Sequence, residues 1–125
     1  MAGKKRVLLV EDHALLRSVL AMRLNLEQDL EVTALCGSLA DARNVDLQEC
    51  DAAIVDIFLP DGNGTELIRA LRSTVPRSIP TIALTDLRVP RARAEARRAG
   101  ANEVLAVSAG FDEVLAALRR VLGDA

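Results

Sequence analysis

The chain has one histidine and two cysteines, Cys36 and Cys50, which form no CxxC pair. A zinc centre of the Cys/His type needs several such ligands at close spacing, so it is excluded. Tryptophan and tyrosine are absent, leaving only Phe58 and Phe111 as aromatics. Stacking on single-stranded nucleic acid needs more ring surface than that. No apolar run approaches the roughly 20 residues that span a bilayer. The start, MAGKKRVLLVEDH, places a short apolar run behind basic residues. That run stops at Glu11, too soon for a signal-peptide core. The expectation is a cytosolic protein with two buried, reduced thiols. A net charge of -2 gives no global attraction to nucleic acid or membrane, and no direct nucleic-acid contact is expected.

What is present is a balanced globular composition, 50% apolar and 27% charged over 125 residues. It suits one domain, residues 1–125, with one core. Short aliphatic runs recur at Arg6–Val10, Leu30–Leu35, Ala52–Val55, Thr81–Leu84 and Glu103–Val107. Four are nearly continuously apolar, as strands buried on both faces should be. The second alternates Leu30, Val32 and Ala34 with Glu31 and Thr33, the pattern of an edge strand.

Helical patterns separate these runs. His13–Glu27 carries Leu15, Leu16, Val19, Leu20 and Leu24, read as one apolar face. Ser38–Leu47 opens on Ser-x-x-Asp, a capping-box-like start. Thr65–Val75 stops before Pro76, Pro90–Ala99 has proline at its first position and ends at Gly100, and Phe111–Leu122 ends among Arg119 and Arg120. Five strand-helix repeats predict an α/β fold, a doubly wound three-layer (βα)5 with a five-stranded parallel sheet.

In such sheets ligands bind beyond the carboxyl ends of the strands, where the strand order switches. Glu11 and Asp12 follow the first strand and Asp56 ends the third. In the order 2-1-3-4-5 these strands are neighbours about 4.8 Å apart, so three carboxylates share one pocket. Such a cluster raises its own pKa values unless a cation joins it. Mg²⁺ fits hard oxygen ligands, with Asp12 and Asp56 coordinating, Glu11 acting directly or through water, and a loop carbonyl after Asp56. The alternative is that Asp12 caps the first helix and Asp56 binds loop amides.

The residues VLLVEDH from Val7 to His13, DIFLPDGNG from Asp56 to Gly64, TIALT from Thr81 to Thr85, and AGAN from Ala99 to Asn102 follow in order at these strand ends. Together they resemble the response-regulator receiver domains of bacterial two-component signalling. Asp56, Pro60 and Gly64 keep that family's four-residue steps. His13 resembles receivers that precede a helix-turn-helix domain. The resemblance implies a phosphoacceptor at Asp56, not a turnover enzyme, supplied by a histidine kinase or phosphotransfer protein. It implies Mg²⁺ on Glu11, Asp12, Asp56 and the Phe58 backbone carbonyl, with Thr85 donating its hydroxyl to a phosphoryl oxygen.

Three positions depart from that pattern. Val107 stands where the family has lysine, Val104 where it often has an aromatic, and Asp86 where a small residue is usual. Every lysine here is Lys4 or Lys5. Weakened switching is one expectation. The other is a degenerate receiver used as a phosphorylation-independent interaction module, with a homodimer through the helix 4, strand 5, helix 5 face left open. Two rivals are weaker. A flavin-mononucleotide binder needs a Gly- and hydroxyl-rich loop after the first strand, where this chain has Glu-Asp-His. A haloacid-dehalogenase-like phosphatase needs a second Asp at position 58, which is Phe. The segment LRVPRARAEARR from Leu87 to Arg98 holds five arginines and one acid. It reads either as a solvated helix face or as a dock for an acidic partner or nucleic-acid phosphates.

Overall fold

The computed structural model describes residues 3–123. Its main sheet has five parallel strands: β1 (Lys5–Val10), β2 (Leu30–Cys36), β3 (Ala52–Asp56), β4 (Thr81–Thr85) and β5 (Glu103–Ala106). Their spatial order is β2-β1-β3-β4-β5. Five α-helices connect and flank them: α1 (Ala14–Leu24), α2 (Leu39–Ala42), α3 (Thr65–Arg72), α4 (Ala92–Ala99) and α5 (Phe111–Val121). A two-residue antiparallel ribbon, Phe58–Leu59 with Gly62–Asn63, follows β3.

Strand alternation divides the core. Val7, Leu9, Ala52, Ile54, Ile82 and Leu84 pack against α1 and α5. Leu8, Val10, Ala53, Val55 and Ala83 pack against α2, α3 and α4. Both thiols lie buried in the second layer, unbonded to each other. Burial pushes Cys36 up to about 11, which keeps it protonated and unreactive. No helix among the described residues is long and apolar enough to cross a membrane.

The sheet matches expectation, while four helices differ in extent or facing. In α1, Leu20, Ala21 and Leu24 turn inward, but Leu15, Val19 and Met22 are exposed, as is Leu26 just beyond. The single apolar face expected from the sequence is therefore two stripes, one buried and one open. Helix α2 covers only Leu39–Ala42 and is followed by a 3-10 turn at Leu47–Glu49. The chain between them carries three poorer helix formers, Asn44, Val45 and Asp46, and Asp46 caps the 3-10 turn instead, accepting from Gln48 N–H at 3.1 Å. Helix α3 ends at Arg72, before the β-branched Thr74 and Val75, and the Thr74 hydroxyl bonds the Ala70 carbonyl at 2.8 Å. The Val75–Pro76 bond is cis. Pro90 lies in the turn before α4 and not at its first position, because Arg91 adopts φ 74 ahead of the helix.

Candidate functional site

The register of β1 against β3 builds the acid cluster. Val10 pairs with Val55, so the next residues along, Glu11 and Asp56, emerge side by side at the carboxyl edge. Glu11 is 2% exposed and Asp56 is 6% exposed, while Asp12 faces solvent. Ligand oxygens of Glu11, Asp12 and Asp56 all lie within 4.8 Å of one another. That is a hard-oxygen donor set of the kind a small divalent cation takes.

The surrounding backbone fixes each acid. The Glu11 N–H donates to the Cys36 carbonyl at 2.9 Å, and the Arg17 guanidinium donates to the Glu11 carbonyl at 2.8 Å. The Glu11 carboxylate accepts from His13 N–H at 3.0 Å. His13, not Asp12, caps α1: its Nδ1 accepts from Leu16 N–H at 3.3 Å. Asp12 is thus left to the cluster. Asp56 does bind a loop amide, accepting from Phe58 N–H at 3.1 Å through one oxygen. The capping alternative therefore holds for part of Asp56 and not for Asp12.

The crowding has an electrostatic cost. Asp56 is pushed up to about 7, first by burial, then by the charge of Glu11 and the hydrogen bond between the two carboxyls, and then by Asp12. The Phe58 amide opposes this only in part. Without a cation Asp56 keeps its proton up to near neutrality.

Two features complete the edge. Asp56 pairs with Leu84, which puts Thr85 one residue beyond, at the end of β4. Thr85 is fully buried, and its Oγ1 has no hydrogen-bond partner. A buried hydroxyl left unmatched costs about 1–3 kcal/mol. Thr85→Val is accordingly expected to stabilise the resting chain by about 1 kcal/mol, read from its urea midpoint. A decrease would mean that the hydroxyl is already satisfied.

Asp61 is a positioning residue that the sequence reading missed. Its carboxylate accepts from Leu39 N–H and Ala40 N–H, both at 2.9 Å, and ties the loop after β3 to the start of α2. These amides hold Asp61 below the usual carboxylate range. Ser38 supplies the local cap, accepting from Asp41 N–H at 3.1 Å. Asp61→Ala is expected to lower the urea midpoint and speed amide exchange at Leu39 and Ala40. The legible signal was an acid beside Gly62, but its partner lies 22 residues back, beyond any local motif.

Residues 7–119 match the family described as response regulator receiver domain. The chain belongs to that family. Among characterised relatives, it is 38% identical over 98 residues to the DNA-binding transcriptional activator DevR/DosR of Mycobacterium tuberculosis, covering 78% of this chain and 45% of that protein. It is 37% identical to the transcriptional regulatory protein UhpA of Salmonella typhimurium, covering 92% and 57%. The chain thus spans about half the length of these relatives. Among solved structures, the non-phosphorylated HemR receiver domain from Leptospira biflexa superposes with TM-score 0.82 at 29% identity, covering 95% and 94%. A CheY-like receiver from Methanospirillum hungatei gives 0.83 at 21% identity, covering 98% and 96%, a likeness of fold.

Within this receiver the departures have definite places. Val107, 39% exposed, lines an open cleft of about 480 Å³ with Thr85, Asp86, Arg88 and Ser108. Val104 is buried in the core beneath α4. Asp86 is paired with Arg88 at 2.8 Å, and that guanidinium pulls it down to about 2. Arg88 is 91% exposed, and its guanidinium is held by Asp86 at the rim of this cleft. No Lys or Arg forms an ion pair with Glu11, Asp12 or Asp56 among the described residues.

Proposed function

We propose that this chain acts as a single phosphoacceptor receiver module, with Asp56 as the nucleophile and Glu11, Asp12, Asp56 and the Phe58 carbonyl as Mg²⁺ ligands. The observation that carries the reading is the pairing of an acid cluster, two of its three carboxylates buried, with an orphaned hydroxyl at adjacent strand ends. An Asp56 oxygen forms a bond to phosphorus as the donor's N–P bond breaks, and the electron pair leaves with the donor's imidazole nitrogen. Mg²⁺, when bound, offsets the charge of the carboxylates and the phosphoryl oxygens. Thr85 Oγ1 donates to one phosphoryl oxygen and thereby gains the partner it lacks at rest. The product adds charge and acceptor oxygens at the edge of the sheet, and the loop after β4 responds to them.

The phosphodonor in this reading is a histidine kinase or phosphotransfer protein of the cytoplasm. The exposed stripe Leu15, Val19, Met22 and Leu26 has the spacing of a helix-packing face and starts within one turn of Asp12. A helix docked there presents its phosphohistidine to the acid cluster. Val107, Val104 and Asp86 leave the phosphorylated state with fewer contacts that differ from the resting state, so switching is weak. The absence of a cation paired with the cluster favours a second reading, an interaction module that works without phosphorylation.

Amide spectra recorded with Mg²⁺ and beryllofluoride, a tetrahedral stand-in for a phosphoryl group, separate the two. The phosphoacceptor reading expects shifts at Phe58, Thr85 and Asp86. Unchanged spectra at saturating Mg²⁺ and beryllofluoride would leave the interaction module.

A further inference from the structure

Helix α4 carries a charge pattern that its own stability does not explain. Arg91 at its amino-terminal end, then Arg93, Arg97 and Arg98 are exposed, and its single acid is Glu95. Its buried side consists of Ala92, Ala96 and Ala99. The stem of Arg72, the last residue of α3, lies where a side chain at Gly100 would go, just past the end of α4. Arg72 therefore adds a cation beside the carboxyl end of α4.

None of these five arginines has a side-chain hydrogen bond or ion pair among the described residues. Outside α3 and α4 most arginines are matched, Arg43 apart: Arg17 bonds the Glu11 carbonyl and Arg23 lies over the Phe111 ring. Arg6 and Arg77 share Asp51, Arg119 takes Glu27 and Asp29, and Arg120 takes Glu103. The unmatched set is concentrated on α3 and α4.

Helix dipoles account for part of it. Arg69, Arg72, Arg97 and Arg98 sit at carboxyl ends, where cations are favourable. Arg91 and Arg93 sit at the opposite end of α4, where they are not. Arg91 also holds φ 74, a conformation that costs a non-glycine residue energy. These cations are kept against the local preference of the helix.

We propose that this face, centred on Arg93 and Arg97 one turn apart, docks an acidic segment of a partner protein. Guanidinium groups meet carboxylates in bidentate geometry. An eight-residue helix is about 12 Å long, a span that suits a few carboxylates on a peptide and not a tract of duplex phosphates. The chain's net charge of -2 also means that the remaining surface repels a long polyanion. Only the loop 86–91 separates this face from Thr85, so its occupant is placed to act on that loop. The inference stands on the arginines alone and does not require phosphorylation of Asp56.

The test is fluorescence anisotropy of a fluorescein-labelled oligoglutamate titrated with the full chain at low salt, beside a labelled DNA duplex of similar charge. The expected result is saturable peptide binding that weakens at least about tenfold in the Arg93→Glu, Arg97→Glu double variant. Arg43→Glu, just past the end of α2, is expected to change it less than about twofold. Circular dichroism of both variants guards against misfolding. Equal affinity in wild type and double variant, no peptide binding, or a preference for the duplex would each overturn the proposal. Phosphoryl transfer to Asp56, measured on the same variants, fails or succeeds independently.

Discussion

Asp56→Asn is expected to make the metal-free protein more stable at about pH 8, by up to about 4 kcal/mol in urea unfolding, with the gain vanishing near pH 4. The folded chain holds the Asp56 proton up to about 7, whereas the unfolded carboxyl releases it near 3.8. Below the lower value both states are protonated and the group contributes no pH dependence. Between the two the folded state binds more proton than the unfolded, so wild-type stability falls as pH rises. Above the upper value the loss is complete and flat. The amide of Asn does not titrate, so the variant escapes that fall. Mg²⁺ should erase the difference by stabilising the ionised wild type, and its affinity should rise about tenfold per pH unit up to about pH 7. A flat difference between wild type and variant from pH 4 to about pH 8 would show that Asp56 is not held in its protonated form.

Gly64→Ala is expected to destabilise the chain by about 2–3 kcal/mol and to abolish Mg²⁺ binding. The backbone at Gly64 has φ -61, which any residue adopts, so the objection is purely steric. A Cβ there would run into the Asp56 carbonyl oxygen, with Ile57 Cα and Val55 Cγ1 each at 3.1 Å. Two of these three neighbours are backbone atoms, which do not yield as a flexible side chain does. The Gly64 N–H also bonds the Ile57 carbonyl at 2.7 Å, so the clash would prise open the loop that aims Asp56. Gly110→Ala is the control, since nothing lies within 4 Å of a Cβ at that site. Calorimetric Mg²⁺ titration of both variants checks the claim. Unchanged binding in Gly64→Ala would mean that the loop tolerates the displacement.

The sheet was legible because its strands are buried on both faces: AAIV and TIAL cannot satisfy any exposed position. The acid cluster was legible for the same reason, since strand order and register alone bring Glu11 beside Asp56. The helices were less so. Leu15 and Val19 are as apolar as Leu16 and Leu20, and composition does not say which stripe meets the sheet. The start of α2 is held by Asp61, a cap reaching back from another loop, and its early end goes with Asp46, which caps the 3-10 turn instead. The pairing of Asp86 with Arg88 was not foreseen either. Two residues apart in a turn, they meet only because the backbone bends there. The orphaned Thr85 hydroxyl is a property of packing, which no motif records.

The most direct test of the account is the intact mass of the chain after incubation with a small N–P phosphodonor such as phosphoramidate, with and without Mg²⁺, beside Asp56→Asn. The account predicts a single phosphoryl adduct that requires Mg²⁺, is absent from the variant, and forms although Val107 occupies the lysine position. An adduct that persists in Asp56→Asn, or none in wild type under conditions where Mg²⁺ binds, would contradict it.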